Sequence, residues 1–409
     1  MTTRANDDHK IKVVVRHFEF KQAFARTPHK TRYQYSGSSE PMSAKPLDLR
    51  RLKVFPLDQR KSLTRVEDIL LNPDAPPAPV GDEQASAIAR CAADIKAARE
   101  RGAAVMVIYG AHLLRNGTAP ILDRLMQSGH ITHLATNGAG TIHDWEYAWL
   151  GRSTESVRDN VATGTFGTWD ETGRNIHLAL LAGALRGDGY GVSLGRFIAE
   201  DGVTLPTEDE LQALIQSEPG NPLTAARADL LQTILQFQLP TGRIEVRHPN
   251  KHASILATAF RHGVPMTVHP GIGYDIITCH PMFSGAVIGR AAAEDFRLFS
   301  GSVEQLDGGV VLSIGSAIMG PQVFEKSISC VNNLRIQDGR PIVAGHSIYV
   351  VDMQDGGGWD WTVGEPPKTN PAYYLRFCKS YVRMGGSMHY VQSDNAAFVG
   401  NLYNRFDLF

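Results

Sequence analysis

The stretch AAVMVIYGAHLLRNGTAPILDRLMQSGHITHLATNG, residues 103–138, decides the fold class. Its first part, AAVMVIYG, is a continuous apolar run that ends in glycine, as a buried parallel strand does. The segment TAPILDRLMQSG then has the pattern of a helix, and ITHLATNG has that of a second strand. Strand, helix and strand in this order predict a parallel sheet with crossover helices, so the predicted class is α/β.

The same rhythm recurs on both sides of this stretch. Residues 83–102 predict an amphipathic helix that ends at Gly102, and residues 252–271 predict a helix followed by a strand. The other predicted elements are strands over 310–317, 347–353 and 387–403 and a helix over 372–385. We therefore predict a doubly wound, mostly parallel, Rossmann-like sheet, whose ligands bind where the strands end.

The first 80 residues differ from the rest of the chain. They are rich in Lys, Arg, Pro and Ser and close with the proline-rich run NPDAPPAPVGD. We interpret 1–80 as an extended arm that lies over the body or over a partner subunit, with a mobile tail as the alternative. Residues 81–409 are predicted to form a single domain.

Composition excludes several classes of function. The chain has 409 residues and a formal net charge of −1, so no nucleic-acid or membrane partner is expected. Its four cysteines form no CxxC pair, which favours reduced thiols over a disulfide framework. No apolar run is long enough to span a membrane, and the N-terminus has no signal core. We expect a cytoplasmic protein.

The run ITHLATNGAGTIHDWEYAWLG, residues 131–151, is the most informative for function. Its strand leads into a glycine-containing turn where the backbone can approach a ligand closely. His143, Asp144 and Glu146 follow at the start of a predicted helix, where they could bind an amine, orient a ribose or act as acid and base. Helix capping is the alternative for the two carboxylates.

Polar or glycine-rich turns follow several other predicted strands. A cofactor could lie against them, although each could equally be ordinary turn chemistry. The candidate cofactor-binding residues are Gly110, Ala111, His112, Thr136, Asn137, Gly138, Gly315, Ser316, Ser393 and Asp394. Asp275 and His280, in a turn rich in glycine, are candidates for holding a cation or a ribose.

Lys379 lies on a predicted helix beside Tyr373, Phe377 and Cys378. A lysine among aromatic side chains can be desolvated, which lowers its pKa and makes it nucleophilic. Most helix lysines are simply solvated. No metal-ligand spacing, nucleophile elbow or P-loop is present, so no metal is predicted.

Taken in order, these segments resemble deoxyhypusine synthase over about residues 100–400. The resemblance implies NAD as cofactor, a cationic amine as substrate and a homotetramer with active sites at subunit interfaces. It assigns an imine-forming role to Lys379, and substrate contacts to Asp144, Asp275 and His280. Tyr373 and Phe377 stand where that family has an amine-binding Glu and a Trp, and its glycine triplet is replaced by Gly315-Ser316-Ala317.

The run ATNGAGTIHDWEYAWLG is also similar to part of the archaeal-type, NAD-dependent ornithine cyclodeaminase family. This second resemblance implies that His143, Asp144 and Glu146 are site residues and that a basic amino acid is an alternative substrate. The function predicted from both is NAD-dependent oxidation of a polyamine or basic amino acid to an imine, followed by aminoalkyl transfer. The alternatives are cyclodeaminase-type lyase chemistry and a relative that binds NAD or a metabolite without catalysis.

Overall fold

The strands of the central sheet coincide with the apolar runs of the sequence. A computed structural model describes residues 46–406 of the protein. Within that range the strands are β1 (Thr64–Arg65), β2 (Val105–Tyr109), β3 (His133–Asn137), β4 (Arg152–Ser153), β5 (Gly202–Leu205), β6 (Gly242–Glu245), β7 (Met266–His269), β8 (Val310–Ile314), β9 (Ser347–Asp352) and β10 (Ser387–Gln392). Six of them form one sheet in the order β10-β9-β8-β2-β3-β7, and all neighbours in it are parallel.

Helices connect these strands and cover the sheet. They are α1 (Val66–Ile69), α2 (Asp82–Glu100), α3 (Ala111–Arg115), α4 (Ala119–Gln127), α5 (Gly138–Leu150), α6 (Val157–Thr163), α7 (Asp170–Ala184), α8 (Tyr190–Ala199), α9 (Glu208–Ser217), α10 (Thr224–Phe237), α11 (Ile255–His262), α12 (Gly285–Glu304), α13 (Met319–Gln337), α14 (Arg376–Val382) and α15 (Asn395–Tyr403). Two small antiparallel pairs, β1 with β4 and β5 with β6, lie outside the central sheet. None of the helices described is both long and apolar enough to cross a membrane.

Both faces of the central sheet are buried. Alternate residues of β2 enter two different apolar clusters: Val105 and Val107 belong to one, and Met106 and Ile108 to the other. A strand buried on both faces needs the continuous apolar run that the sequence has here. The predicted class, a doubly wound and mostly parallel α/β sheet, is confirmed.

The order of the strands places a crevice at the centre of the sheet. Numbered along the chain, the six strands run 3-2-1-4-5-6, so the chain winds outward in opposite directions from β2 and β8. The backbone N–H of Gly110, just after β2, donates to the carbonyl of Ile314 at the end of β8 (3.1 Å). Ligands of open α/β sheets bind at such a switch point.

Two predicted elements near the C-terminus need correction. The strand predicted over 387–403 ends at Gln392, and the rest of that segment is helix α15. The helix begins there because Asp394 caps it, accepting the backbone N–H of Ala397 (2.9 Å). The helix predicted over 372–385 is shorter, because its first part forms the 3-10 turn Pro371–Tyr374 and α14 begins only at Arg376.

The predicted arm is described only in part, since residues 1–45 lie outside the described range. From Asp48 onward the residues form one compact unit. Phe55 exchanges backbone hydrogen bonds with Thr168 and Asp170 (both 2.9 Å), and Leu57 is buried in the core. The division of the chain at residue 80 stays a prediction.

Candidate active site

A cavity of about 310 Å³ lies beyond the carboxyl ends of β3 and β7. We call it the His143 cavity. It is lined by Arg60, Leu63, Arg115, Ala139, Ile142, His143, Glu146, Thr154, Glu155, Val157, Phe166, Tyr274, Asp275 and Ile276. Three residues predicted to act on a ligand, His143, Glu146 and Asp275, therefore meet at one place, although Asp275 is far from the other two in the chain.

Helix α5 carries two of these side chains because of its spacing. Asn137 caps the helix, its Oδ1 accepting the backbone N–H of Gly140 (2.9 Å). Residues three apart share a helix face, so His143 and Glu146 both reach the cavity. Asp144 is about 100° away from His143 around the helix and is directed elsewhere.

Glu146 has no exposed surface and is fully occupied by the protein's own donors. Arg60 binds it through both guanidinium nitrogens, at 2.8 and 2.7 Å. The hydroxyl of Thr172 donates to Oε1 (2.9 Å), and that of Ser153 donates to Oε2 through a short hydrogen bond. The predicted catalytic role of Glu146 stays a prediction, and its contacts fit a residue that acts through its neighbours.

His143 is linked to this carboxylate through Ser153. Its Nδ1 lies 2.7 Å from the Ser153 hydroxyl, and the ring lines the cavity. Burial lowers the pKa of His143 to about 4, while the nearby Glu146 charge opposes that effect in part. The imidazole is therefore neutral near pH 7.

Asp275 faces the same cavity from the turn after β7. Its Oδ2 accepts the backbone N–H of Gly271 (2.7 Å), and the carboxylate packs against the first residue of α5. A Cβ at Gly138 would collide with this carboxylate, so the close approach requires glycine there. Burial raises the pKa of Asp275 to about 6, against the lowering effect of the Gly271 hydrogen bond.

Arg115, at the end of α3, contributes a positive charge to the cavity. It is half-buried, and its Nε is buried without a hydrogen-bond partner among the described residues. A guanidinium in this state is suited to bind a carboxylate. Sequence reasoning singled out the turn that carries Arg115 but not the residue itself.

Arg60, Ser153 and Thr172 were also missed by the sequence analysis. Arg60 lies 86 positions before Glu146 in a basic stretch, and Ser153 and Thr172 look like ordinary turn and helix residues. No local pattern marks any of them, because only the tertiary fold brings them to Glu146.

Asp144 and His280, both predicted to bind substrate, are not among the residues that line the cavity. The Asp144 carboxylate accepts the backbone N–H groups of Ile255 (2.7 Å) and Leu256 (3.3 Å) and the hydroxyl of Ser254, and so caps α11. Burial raises its pKa to about 7. His280 is buried, and its Nε2 lies 3.3 Å from Asp170.

The switch point between β2 and β8 holds several of the predicted cofactor-binding residues. A Cβ at Gly110 would collide with the carbonyl oxygen of Gly315, and Gly315 has a φ of 58°. The buried side chain of Asn395 packs on Gly315, and its Oδ1 has no partner among the described residues. Ser316 accepts the backbone N–H of Gly320 (3.1 Å).

The other predicted cofactor-binding residues lie at the same edge of the sheet, with different degrees of exposure. Ala111 and His112 form the first turn of α3, and His112 is exposed. Thr136 is fully buried and donates its hydroxyl to the carbonyl of Tyr109 (3.0 Å). Ser393 is buried beside the capping residue Asp394, with its hydroxyl on the Asp394 carbonyl (3.1 Å).

Lys379 lies in a different place from Asp275. Its Nζ is 3.5 Å from the centre of the Tyr373 ring, a cation–π contact between α14 and the 3-10 turn that precedes it. Phe377 is buried and packs near Tyr390. Neither Lys379 nor Tyr373 nor Phe377 lines the His143 cavity. The cavity thus joins Asp275 with His143 but not with Lys379.

The sheet order and its two oppositely wound halves define the chain as a Rossmann-like, doubly wound α/β protein. No protein-family model matches the chain, and no curated protein matches it in sequence. Solved structures do match, at low similarity. An arginine dihydrolase, ArgZ, from Cyanobacteria is 11% identical with a TM-score of 0.36, and the match covers 80% of this chain and 32% of that one.

Two further solved structures are similar to the same degree. AgrE, in a ternary complex with ornithine and NAD+, is 13% identical with a TM-score of 0.38, and the match covers 80% of this chain and 34% of that one. A conserved LOR/SDH protein from Methanococcus maripaludis S2 is 13% identical with a TM-score of 0.37, covering 82% and 73%. The chain thus spans about a third of the length of ArgZ and AgrE.

These neighbours correct the identification made from sequence. They are an arginine dihydrolase, AgrE and a LOR/SDH protein, not deoxyhypusine synthases, so the resemblance to deoxyhypusine synthase is wrong.

Proposed function

We propose that the protein is an NAD-dependent enzyme that acts on a basic amino acid. The observation that carries this proposal is the presence of Arg115 and Asp275, two opposite charges, on one cavity beside the neutral base His143. An α-amino acid has the complementary pair, a carboxylate for the guanidinium and an ammonium for the carboxylate. Charge-assisted hydrogen bonds of this kind are the strong ones.

The remaining charges favour a second cationic group on the substrate. Arg60 and Glu146 neutralise each other, which leaves Arg115 against the two carboxylates Asp275 and Glu155. Glu155 is held by the Trp169 indole N–H (3.0 Å) and by the backbone N–H of Gly167 (3.2 Å). An amino acid with two amines and one carboxylate balances the net charge of this set.

NAD fits the switch point between β2 and β8. Gly110 packs there on the carbonyl of Gly315, and the buried Oδ1 of Asn395, which has no partner among the described residues, can accept a hydrogen bond from the cofactor. Gly110, Gly315, Ser316 and Asn395 would hold it. When bound, NAD+ supplies a hydride acceptor for the carbon that carries the amine.

Each charged residue of the cavity then has a role in that chemistry. Arg115 holds the substrate carboxylate and Asp275 holds an ammonium, which together fix the orientation of the substrate. His143 takes a proton from the reacting ammonium, because only the neutral amine can leave its carbon electron-rich enough to lose hydride. The product of this step is an imine.

The test is turnover with a matched set of substrates. The protein is incubated with NAD+ and with L-ornithine, L-lysine or L-arginine, and in parallel with putrescine and cadaverine, which lack the carboxylate. Products are followed by mass spectrometry, and transfer of deuterium from the amine-bearing carbon to the nicotinamide is followed in the NAD pool. We expect conversion of at least one amino acid and none of the diamines.

Binding of NAD+ is measured separately by calorimetry. Asn395→Ala should weaken it roughly fivefold, since one net hydrogen bond contributes about 1 kcal/mol. Turnover of diamines in preference to amino acids, or the absence of both NAD+ binding and turnover, would contradict the proposal.

A further inference from the structure

Buried hydrogen bonds link His143 to Ser153, Glu146 and Arg60, and only one assignment of donors and acceptors fits them. Arg60 is only a donor, and its bidentate contact with Glu146 is typical of an ionised carboxylate. An ionised Glu146 is only an acceptor, so the hydroxyl of Ser153 must donate its single hydrogen to it. The Ser153 oxygen then has only lone pairs left for the imidazole of His143.

We propose that Ser153, Glu146 and Arg60 fix His143 as the Nδ1–H tautomer and thereby keep its Nε2 lone pair free for the cavity. Nδ1 must donate to Ser153 across the 2.7 Å contact, because Ser153 has no hydrogen left to give. No hydrogen bond to Nε2 is found among the described residues. His143 is then the catalytic base, and Ser153, Glu146 and Arg60 are positioning residues.

Burial supports a fixed arrangement. Ser153 and Glu146 have no exposed surface and Arg60 is 4% exposed, so water has little access to the hydrogen bonds among these three residues. A buried polar group that lacks a hydrogen-bond partner costs free energy, so the arrangement in which every donor has an acceptor is favoured. The hydroxyl of Thr172 donates to Oε1 of Glu146, so both carboxylate oxygens already accept hydrogen bonds and the direction of the Ser153 hydrogen bond is fixed.

The backbone around Ser153 is also held in an unusual conformation. Thr154 has a φ of 65°, which is rare for a β-branched residue. Strain of this kind persists where the surroundings impose it, and it concentrates at functional sites. Here β1 pairs Thr64 with Ser153, and the Thr64 and Thr154 hydroxyls lie 2.6 Å apart, so the segment that supplies Arg60 also holds Ser153 in place.

The experiment reads the tautomer directly. Histidine is labelled with 15N, the His143 signals are assigned by their loss in His143→Gln, and the ring nitrogens are observed in the protein without substrate or cofactor. We expect a protonated Nδ1 and an unprotonated Nε2. A protonated Nε2 in the unsubstituted protein would overturn the proposal, and this measurement needs no variant of Ser153 to fold.

Ser153→Ala tests the link itself. It should allow both tautomers of His143 to populate, while Ser302→Ala is the matched control, because Ser302 holds another buried imidazole, His133, through the same kind of contact (Nδ1 to hydroxyl, 2.8 Å). That control should change the His133 signals and leave those of His143 as they are. An unchanged His143 tautomer in Ser153→Ala would also overturn the proposal.

The catalytic part of the inference rests on the proposed function and has its own readout. With the amino acid substrate, Ser153→Ala should lower kcat roughly 100-fold, the lower end of what general base catalysis supplies, with NAD+ affinity unchanged. Ser153→Thr, which keeps the hydroxyl, should recover most of this loss. If no substrate is turned over but the tautomer is as expected, the proposed function fails and the proposal about the tautomer stands. If the enzyme is active but Nε2 carries the proton, the proposed function stands and the proposal about the tautomer fails.

Discussion

The carboxyl edge of the sheet has two halves that use the same kinds of residue differently. In the half formed by β3 and β7, Arg115 and Asp275 direct charge into a cavity. In the half formed by β9 and β10, Asp394 caps α15 and Lys379 lies on the Tyr373 ring. Both halves place polar side chains near the ends of parallel strands, which is the pattern that predicts a binding site.

The difference between the halves lies in how many partners the protein itself supplies. The Asp394 carboxylate accepts a hydrogen bond from the first turn of α15, and the ammonium of Lys379 lies over the ring of Tyr373. Arg115 has no hydrogen-bond partner for its buried Nε among the described residues. A charged group left without a partner beside a cavity indicates a ligand, whereas a satisfied one indicates structure.

Breaking the buried ion pair behind the β3–β7 half should have the largest effect. Arg60→Met leaves Glu146 buried and ionised without a cation, and we expect it to lower the free energy of unfolding by about 3–5 kcal/mol. Denaturant titration measures this loss. The double variant Arg60→Met/Glu146→Met removes both charges and should recover part of the stability, because well-packed apolar side chains can replace an ion pair.

Arg335→Met is the control for this prediction. Arg335 is as buried as Arg60, but its partners Glu304 and Asp307 have side chains 29% and 56% exposed. Water can solvate those carboxylates once Arg335 is gone, so the loss should be clearly smaller. Equal losses in the two single variants would mean that burial of the partner does not distinguish these ion pairs.

The comparison of the two halves is sharpened by removing one cation from each. Arg115→Met should cost about 2–5 kcal/mol in kcat/KM for the amino acid, roughly thirtyfold to several thousandfold, because the substrate carboxylate loses its partner. Lys379→Met should leave kcat/KM unchanged. A large loss in Lys379→Met with a small one in Arg115→Met would reverse the assignment of the active half.

Asp275 gives the β3–β7 half a pH dependence. Its pKa, raised to about 6 by burial, means that it is ionised above pH 6 and protonated below, and only the ionised form can hold an ammonium. We expect kcat/KM to fall about tenfold for each pH unit below 6. His143, with its pKa lowered to about 4, stays neutral over that window and does not contribute.

Asp275→Asn identifies the group responsible for this limb of the profile. The variant should have a lower kcat/KM than the unsubstituted protein at every pH, and its residual kcat/KM should not fall between pH 7 and 5. A limb that persists unchanged near pH 6 would assign the titration to another group.

The fold was predictable where a strand is buried on both faces. Every residue of β2, Val105–Tyr109, is buried, and the apolar run in the sequence has the same bounds to within three residues. The prediction failed over 395–403, which was expected to continue the strand and is helix α15. Asp394, two positions after β10, was the available signal for a helix start.

The site was predictable only where its residues follow strands. His143 and Asp275 lie shortly after β3 and β7, and helical spacing could have separated Asp144 from His143 and Glu146. Arg60 could not be found, because its contact with Glu146 spans 86 residues and depends on how residues 48–65 lie on the body.

The smallest expected effect tests whether the β9–β10 half has any part in cofactor binding. Asp394→Ala removes the cap of α15 and should lower the free energy of unfolding by about 1 kcal/mol. Asp394→Ser keeps a capping oxygen and should restore most of that stability. If Asp394 acts only as a cap, calorimetry will find the same NAD+ affinity in both variants and in the unsubstituted protein. If affinity instead falls in both, including the variant whose helix is still capped, the carboxylate itself contacts the dinucleotide, and the binding site extends from the switch point to the edge of the sheet.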